Sequence, residues 1–177
     1  MSLWIDTKIV YEPGKRLAYA YNRAMRATTA EWVLFLDQDL FVCNPHWYEM
    51  SLAAVWRVGH DAGWITAVCN RIGNPGQRRR PDPDTDHIPA HIAHARRLYE
   101  AHGDKTEPCK GALSGFFILT SKRAWKAAGG FNEQRPGMLG VDNDYSKAVV
   151  RAGFKLYRMP GLYFYHLYKA KPALMGW

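Results

Sequence analysis

Two aspartates stand one residue apart in Asp37-Gln38-Asp39, directly after the apolar run Trp32-Val33-Leu34-Phe35-Leu36. Carboxylates so spaced can share a hard divalent cation, Mn2+ or Mg2+, whose shell is commonly completed by substrate phosphates. Such a cation neutralises charge on a leaving diphosphate. A second acidic pair lies in Gly140-Val141-Asp142-Asn143-Asp144. It falls at an expected helix start, where the dipole favours carboxylates, so capping is one role open to it. The other is that of a general base taking the proton of an acceptor hydroxyl, a role open to Asp142 or Asp144. A lone histidine, His166, sits in the aromatic run Tyr163-Phe164-Tyr165-His166-Leu167-Tyr168. Histidines in such strands commonly pack in a core, yet neutral imidazole is also a common metal ligand. The loop Asn70-Arg71-Ile72-Gly73-Asn74-Pro75-Gly76-Gln77 supplies amide and guanidinium groups. Asn70, Arg71 and Gln77 there suit hydrogen bonds to hydroxyls and phosphates of a donor or acceptor.

These groups need a scaffold, and the hydrophobic pattern supplies one. Ile9 to Tyr11 reads as a short strand ended by Pro13-Gly14, and Lys15 to Ala27 reads as a helix with Leu17, Ala20, Tyr21, Ala24 and Met25 near helical spacing. Trp32 to Leu36 is continuous in its apolarity, as suits a strand covered on both faces. Asn44-Pro45 opens a helix expected to run to Val58. Gly63 to Val68 reads as a strand, residues 70–89 as a long irregular loop, and His91 to Ala101 as a helix. Leu113 to Thr120 is expected as a strand, entered through Ser114-Gly115. Ser121 caps the following helix, which Gly129-Gly130 stops. Asp142 to Ala152 reads as a helix, and Phe154 to Tyr157 and Leu162 to Tyr165 as two final strands. Strands alternating with helices predict one α/β domain over 1–177, with a mostly parallel sheet flanked by helices.

The bulk composition narrows the class. The chain has 177 residues, long enough for a core without covalent staples, with 47% hydrophobic and 23% charged residues. Cys43, Cys69 and Cys109 are odd in number and widely spaced, which argues against a disulfide framework or a cysteine zinc site and points to a reducing compartment. No apolar run is long enough for a transmembrane segment, and the N-terminus has no signal-peptide pattern, so the expected location is cytoplasmic. The net charge of +8 leaves anions as partners, but no helix-turn-helix, zinc-finger or RRM signature accompanies it, and no nucleic acid is expected. Arg78-Arg79-Arg80 is the only dense basic run, open to solvent or to phosphate contact. His87, His91 and His94 have spacing that would line one helix face toward zinc, but Ile88-Pro89 follows His87 and a partly packed helix is the expectation.

Several blocks carry a resemblance. Leu17-Ala18-Tyr19-Ala20-Tyr21-Asn22-Arg23-Ala24-Met25 and Glu31 to Asp39 come first. Leu113-Ser114-Gly115-Phe116-Phe117 and Ala128-Gly129-Gly130-Phe131-Asn132-Glu133 follow. Val141-Asp142-Asn143-Asp144-Tyr145-Ser146 and Arg151-Ala152-Gly153-Phe154-Lys155-Leu156 close the set. In this order and spacing, from about Leu17 onward, the chain resembles family-2 glycosyltransferases. The resemblance implies a GT-A fold and metal-dependent transfer of a sugar, of hexosyltransferase type and with inversion. Its donor would be a nucleotide sugar, UDP- or GDP-linked, and its acceptor a glycan or other hydroxyl compound, with homo-oligomers of the chain as a further expectation. By position, Asp37 and Asp39 match the family's metal-binding pair, Asp142 its catalytic base, and His166 the place of a further metal ligand. Gly115 falls where the backbone passes donor and acceptor sugars, and Asn22, Gln38 and Ser114 join it as donor- or acceptor-binding residues. Trp4 to Tyr11 is all that stands for the strand and loop with which the family normally begins its hold on the nucleotide base. Tyr21 precedes Asn22 where the family often has Arg, and Val141 precedes Asp142 where it often has Glu. The alternative that these departures leave is a non-catalytic carbohydrate- or nucleotide-binding module on the same fold.

Overall fold

A computed structural model describes residues 3–14 and 16–168. The strand Trp32–Leu36 (β2) is buried on both faces of the sheet. Alternate residues leave a strand on opposite faces. Accordingly, Trp32 and Leu34 enter one core cluster while Val33 and Phe35 enter another. The first cluster is covered by the helix Trp47–Val58 (α2) through Met50, Ala54, Val55 and Val58. The second is covered by Leu17–Ala27 (α1) and Val141–Arg151 (α5), which contribute Ala18, Tyr21, Met25, Tyr145 and Val149. An apolar run with no polar alternation is therefore a strand with helices on both sides.

The remaining strands are Ile5–Lys8 (β1), Leu40–Val42 (β3), Ala62–Cys69 (β4), Glu107–Cys109 (β5), Phe117–Ser121 (β6) and Lys155–His166 (β7). The sheet order is β1-β2-β6-β4-β7-β3, with β5 also on β7. β1 and β2 are parallel, as are β4 and β7, whereas β6 runs antiparallel between β2 and β4. β3 and β5 run against β7. β1, β2, β4 and β7 thus share one direction, and the reversed strands give a mixed sheet. Two more helices, Ile88–His102 (α3) and Lys122–Ala127 (α4), complete the fold, with α3 packed on the aromatic end of β7 through Ala95, Tyr163 and Tyr165.

Several expected boundaries move, each for a local reason. The first strand is Ile5–Lys8 rather than Ile9–Tyr11, because β2 ends at Leu36 and Lys8 already pairs with Phe35. Ile9 and Tyr11 pass beyond the sheet and are 61% and 74% exposed. β6 begins at Phe117, not Leu113, because side chains take the preceding backbone donors. Ser114 N donates to Gln77 Oε1 and Gly115 N to Asp142 Oδ2. The two strands expected at the C-terminal side are one, β7. Its register slips where Thr66 and Val68 face Arg158 and Tyr163, and Gly161 there lies so close to Gly103 that a Cβ would overlap its carbonyl oxygen. β3 and β5 have three residues each, too short to show a period, and Pro108 confines β5 to the sheet margin.

Candidate active site

Directionality brings the chemical groups together. Asp37 follows the carboxyl end of β2, Asn70 and Arg71 that of β4, and His166 closes β7. The reversed strands present their amino ends to the same edge, so Gly115 and Phe116 lead into β6 there and Asp39 leads into β3. Ligand sites of open α/β sheets form along this edge. The D-x-D turn is stitched at both ends: Asp37 N donates to Phe116 O at 3.1 Å, and Leu167 N donates to Asp39 O at 2.9 Å. The first bond sets Asp37 beside Gly115, and the second sets Asp39 beside His166.

Asp37, Asp39 and His166 each offer a ligand atom, all within 4.8 Å of one another. His166 Nε2 lies 3.2 Å from Asp39 Oδ1 and 3.9 Å from Asp37 Oδ2. The other ring nitrogen, Nδ1, is 2.8 Å from the carbonyl oxygen of Arg71. A carbonyl only accepts, so Nδ1 carries a proton and the opposite ring nitrogen, Nε2, is directed at the two carboxylates. Two carboxylates and an imidazole nitrogen converging on one point make an N/O donor set, and metal-bound histidines are characteristically fixed by this second-nitrogen hydrogen bond. The donor set therefore fits a divalent cation. Asp37 sits on the floor of the cleft, and although its side chain keeps 38% exposure, the surrounding protein strips much of its solvation. Burial first, then the negative charges of Asp39 and Asp142, push its carboxyl up to about 7.

Two clefts meet at Asp37. The larger, about 340 Å³, is walled by Val10, Tyr11, Glu12, Leu17, Tyr21 and Met138 and floored by Asp37, Gln38 and Asp39. The smaller, about 120 Å³, leads to Gly115, Leu139, Gly140 and Asp142. Leu17, Tyr21, Asp37 and Met138 line both. Asp142 stands in the first turn of α5, which begins after Gly140 in the left-handed region at φ 81°, a conformation that glycine adopts without strain. Its Oδ2 accepts from Gly115 N at 3.0 Å. Burial and the nearby Asp37 and Asp142 carboxylates keep the Tyr21 hydroxyl protonated far above its ordinary range, which leaves it a donor between the two clefts.

The other residues singled out in the sequence hold the frame. Asn22 spends its amide on protein: Nδ2 donates to Phe131 O and Glu133 Oε1, and Oδ1 accepts from Trp125 Nε1 and Phe131 N. Gln77 is buried, with Nε2 donating to Thr66 Oγ1 and Ser114 O and Oε1 accepting from Ser114 N. Ser114 Oγ accepts from Asn74 N. The loop after β4 thereby fixes Ser114 and Gly115, and through Gly115 it supports Asp142. Asn70 Oδ1 accepts from His166 N at 2.7 Å, and the Arg71 guanidinium pairs with buried Asp86.

Asp144 points elsewhere. Both its oxygens engage Arg135, at 2.5 and 2.8 Å, and it borders a separate groove with Asn132 and Lys147. The Arg135 guanidinium, and then Asn132, hold its carboxyl down at about 2, which makes it a poor proton acceptor. His87, His91 and His94 do not converge on a metal: His91 bridges the Tyr163 hydroxyl and Thr85 O and stacks on Tyr165 at 3.9 Å. In the basic run, Arg80 pairs with Asp84 and Arg78 is exposed. The cleft walls Glu12, Met138 and Leu139 carry no motif that singles them out in the sequence, and Tyr11, expected in a strand, walls the larger cleft instead. Glu12-Pro13 follows β1, which is parallel to β2, so its loop opens on the same edge as the D-x-D turn.

A mixed sheet with helices on both faces, and an acidic pair at the end of one of its buried strands, give the chain a fold of the GT-A type. The chain belongs to glycosyl transferase family 2, whose profile matches residues 3–118. Among solved structures it is similar to the mannosyltransferase PcManGT from Pyrobaculum calidifontis in complex with GDP-Man and Mn2+, at 18% identity and a TM-score of 0.53. That likeness shows the fold. It covers 88% of this chain and 37% of the other, so the chain spans well under half the length of its neighbour. No curated protein matches the chain. Among the described residues, no helix is long and apolar enough to cross a membrane.

Proposed function

We propose that this chain transfers a hexosyl group from a nucleoside-diphosphate donor to an acceptor hydroxyl, with inversion and with a divalent cation. The convergence of Asp37, Asp39 and His166 in a cleft adjoining Asp142 carries the reading. The larger cleft takes the donor, with its diphosphate toward the D-x-D turn and Gln38. The smaller takes the acceptor hydroxyl against Asp142. When bound by Asp37, Asp39 and His166, the cation supplies positive charge to the leaving diphosphate. The imidazole favours Mn2+ over Mg2+, which prefers an all-oxygen shell. A GDP-sugar with Mn2+, the pair named for the mannosyltransferase neighbour, is the first combination to try.

Asp142 holds the acceptor hydroxyl through its free lone pairs and takes the proton as the oxygen attacks the anomeric carbon. The bond from that carbon to the diphosphate oxygen breaks on the opposite face, and the diphosphate leaves with the electron pair. A single displacement inverts the configuration. Tyr21 donates a hydrogen bond at the junction of the clefts and orients the reacting groups. Three free cysteines, two of them buried, accord with a reducing, cytoplasmic setting.

Calorimetric binding of UDP and GDP with and without Mn2+, on the wild type and on Asp39→Ala, tests the donor half. Metal-dependent binding lost in the variant is the expected outcome. Absence of nucleotide binding under every condition would withdraw the enzyme reading in favour of a non-catalytic binding module.

A further inference from the structure

The metal-facing histidine is held from behind by a buried charge. Arg71 presents two groups to its surroundings: its carbonyl accepts from His166 Nδ1, and its guanidinium pairs with Asp86. Asp86 lies more than ten residues away along the loop, with its side chain 1% exposed, and Arg71 is 19% exposed. The same Asp86 Oδ1 accepts from the Tyr165 hydroxyl at 3.0 Å. Tyr165 immediately precedes His166 on β7, and its ring is stacked on His91. One carboxylate thus fastens the two backbone segments whose relative position sets the imidazole, the exit of β4 and the end of β7. Asn70 Oδ1 adds a third tie, to His166 N.

A buried ion pair is a poor device for stability, since replacing both partners by apolar groups is often neutral or favourable. Its better-attested use is to specify one arrangement. Here the arrangement specified is the Nδ1–H tautomer of His166, with Nε2 directed at Asp37 and Asp39. We propose that Asp86 is a positioning residue that acts through Arg71 and Tyr165 to hold His166 in its metal-binding tautomer and orientation. This rests on the reading of Asp37, Asp39 and His166 as a cation site.

The experiment has two readouts on the purified protein. Long-range proton–nitrogen correlation spectra of the metal-free protein, in alkaline buffer, report which ring nitrogen of His166 bears the proton. Calorimetry reports Mn2+ affinity. Wild type is expected to show one Nδ1–H tautomer, and Asp86→Asn a mixture of the two with about 10- to 100-fold weaker Mn2+ binding. Tyr165→Phe, which removes only one of the two ties, is expected to fall between them and substitutes if Asp86→Asn does not fold. Asp84→Asn, in the same loop but exposed and paired with Arg80, is expected to match wild type. A folded Asp86→Asn with an unchanged tautomer overturns the proposal, whatever its Mn2+ affinity, because a merely structural loss would weaken binding without moving the proton. Failure of wild type to bind Mn2+ would sink the metal reading, while the tautomer comparison would still decide the role of Asp86.

Discussion

The main-chain N–H of Gly115 donates to Asp142 Oδ2 at 3.0 Å, and a Cβ built at 115 would stand 3.1 Å from Asp142 Cβ. The glycine is thus favoured by close approach, its φ lying outside the left-handed region. It lets a backbone donor occupy one lone pair on Oδ2, while Asn143 N donates to Oδ1 at 2.8 Å, and one lone pair on each oxygen is left to the acceptor. Gly115→Ala should push Asp142 back by a few tenths of an ångström. Misplacement of that order is expected to lower kcat by roughly tenfold, with Mn2+ and nucleotide affinity unchanged. Steady-state transfer rates beside calorimetric affinities check this. Unchanged kcat would mean that Asp142 does not face the acceptor.

Asp142 and Asp144 stand two residues apart in one helical turn and are expected to differ in kind. Asp142→Asn removes the proton acceptor and should cut kcat by at least about 100-fold, with metal binding retained. Asp144→Asn releases Arg135, which also donates to Leu139 O and so ties down the segment bearing Met138 and Leu139. Its expected effect is a raised KM for the acceptor with kcat changed by less than about tenfold. Reversal of the two phenotypes would exchange their roles.

The acidic pair was legible because β2 is apolar on both faces and stops abruptly at Asp37, a pattern few loops share. The helix starts at Ser121 and near Asp142 were legible for a similar reason, a serine cap in the one and carboxylates suited to a first turn in the other. Polar residues within the blocks were harder. Asn22 and Gln77 carry groups suited to a sugar, yet the fold spends them on its own backbone and side chains, and composition does not tell which way an amide points. Asp86 stands in an Asp- and Pro-rich loop that reads as solvated, and only the path of the chain buries it against Arg71. The bond that fixes His166 goes to a carbonyl, a group every residue has, so no side-chain pattern could announce it.

Asn22 is expected to matter for stability. Its amide joins α1 to Trp125 and to the main chain of Phe131 and Glu133's carboxylate, and Gly130, at φ 79°, approaches so closely that a Cβ would stand 2.9 Å from Asn22 Oδ1. Asn22→Ala leaves the Phe131 N–H and the Trp125 indole N–H without partners. Buried donors left unpaired cost about 1–3 kcal/mol each, so a loss of about 3 kcal/mol is expected. In a domain of this size that lowers Tm by roughly 10 °C. Thermal unfolding followed by circular dichroism checks it, and a change below about 1 kcal/mol would show that water replaces the amide.

The raised carboxyl of Asp37 sets a pH dependence with a definite sign. Unfolded, the group titrates near 4, and in the folded metal-free protein it titrates at about 7. Between these values the native state keeps a proton that the unfolded state has lost, so stability falls as pH rises through this window and the full cost stands above 7. Asp37→Asn removes that cost and should stabilise the metal-free protein above neutrality. The gain, discounted for the 38% exposure of the side chain, is on the order of 1–2 kcal/mol, and it should vanish toward pH 4. Cation binding must displace the same proton. The apparent Mn2+ affinity of the wild type is therefore expected to rise about tenfold per pH unit below 7 and to level off above it. Calorimetric titrations across this range check both the slope and the break. A flat profile from pH 5 to 8 would place the bound cation away from Asp37.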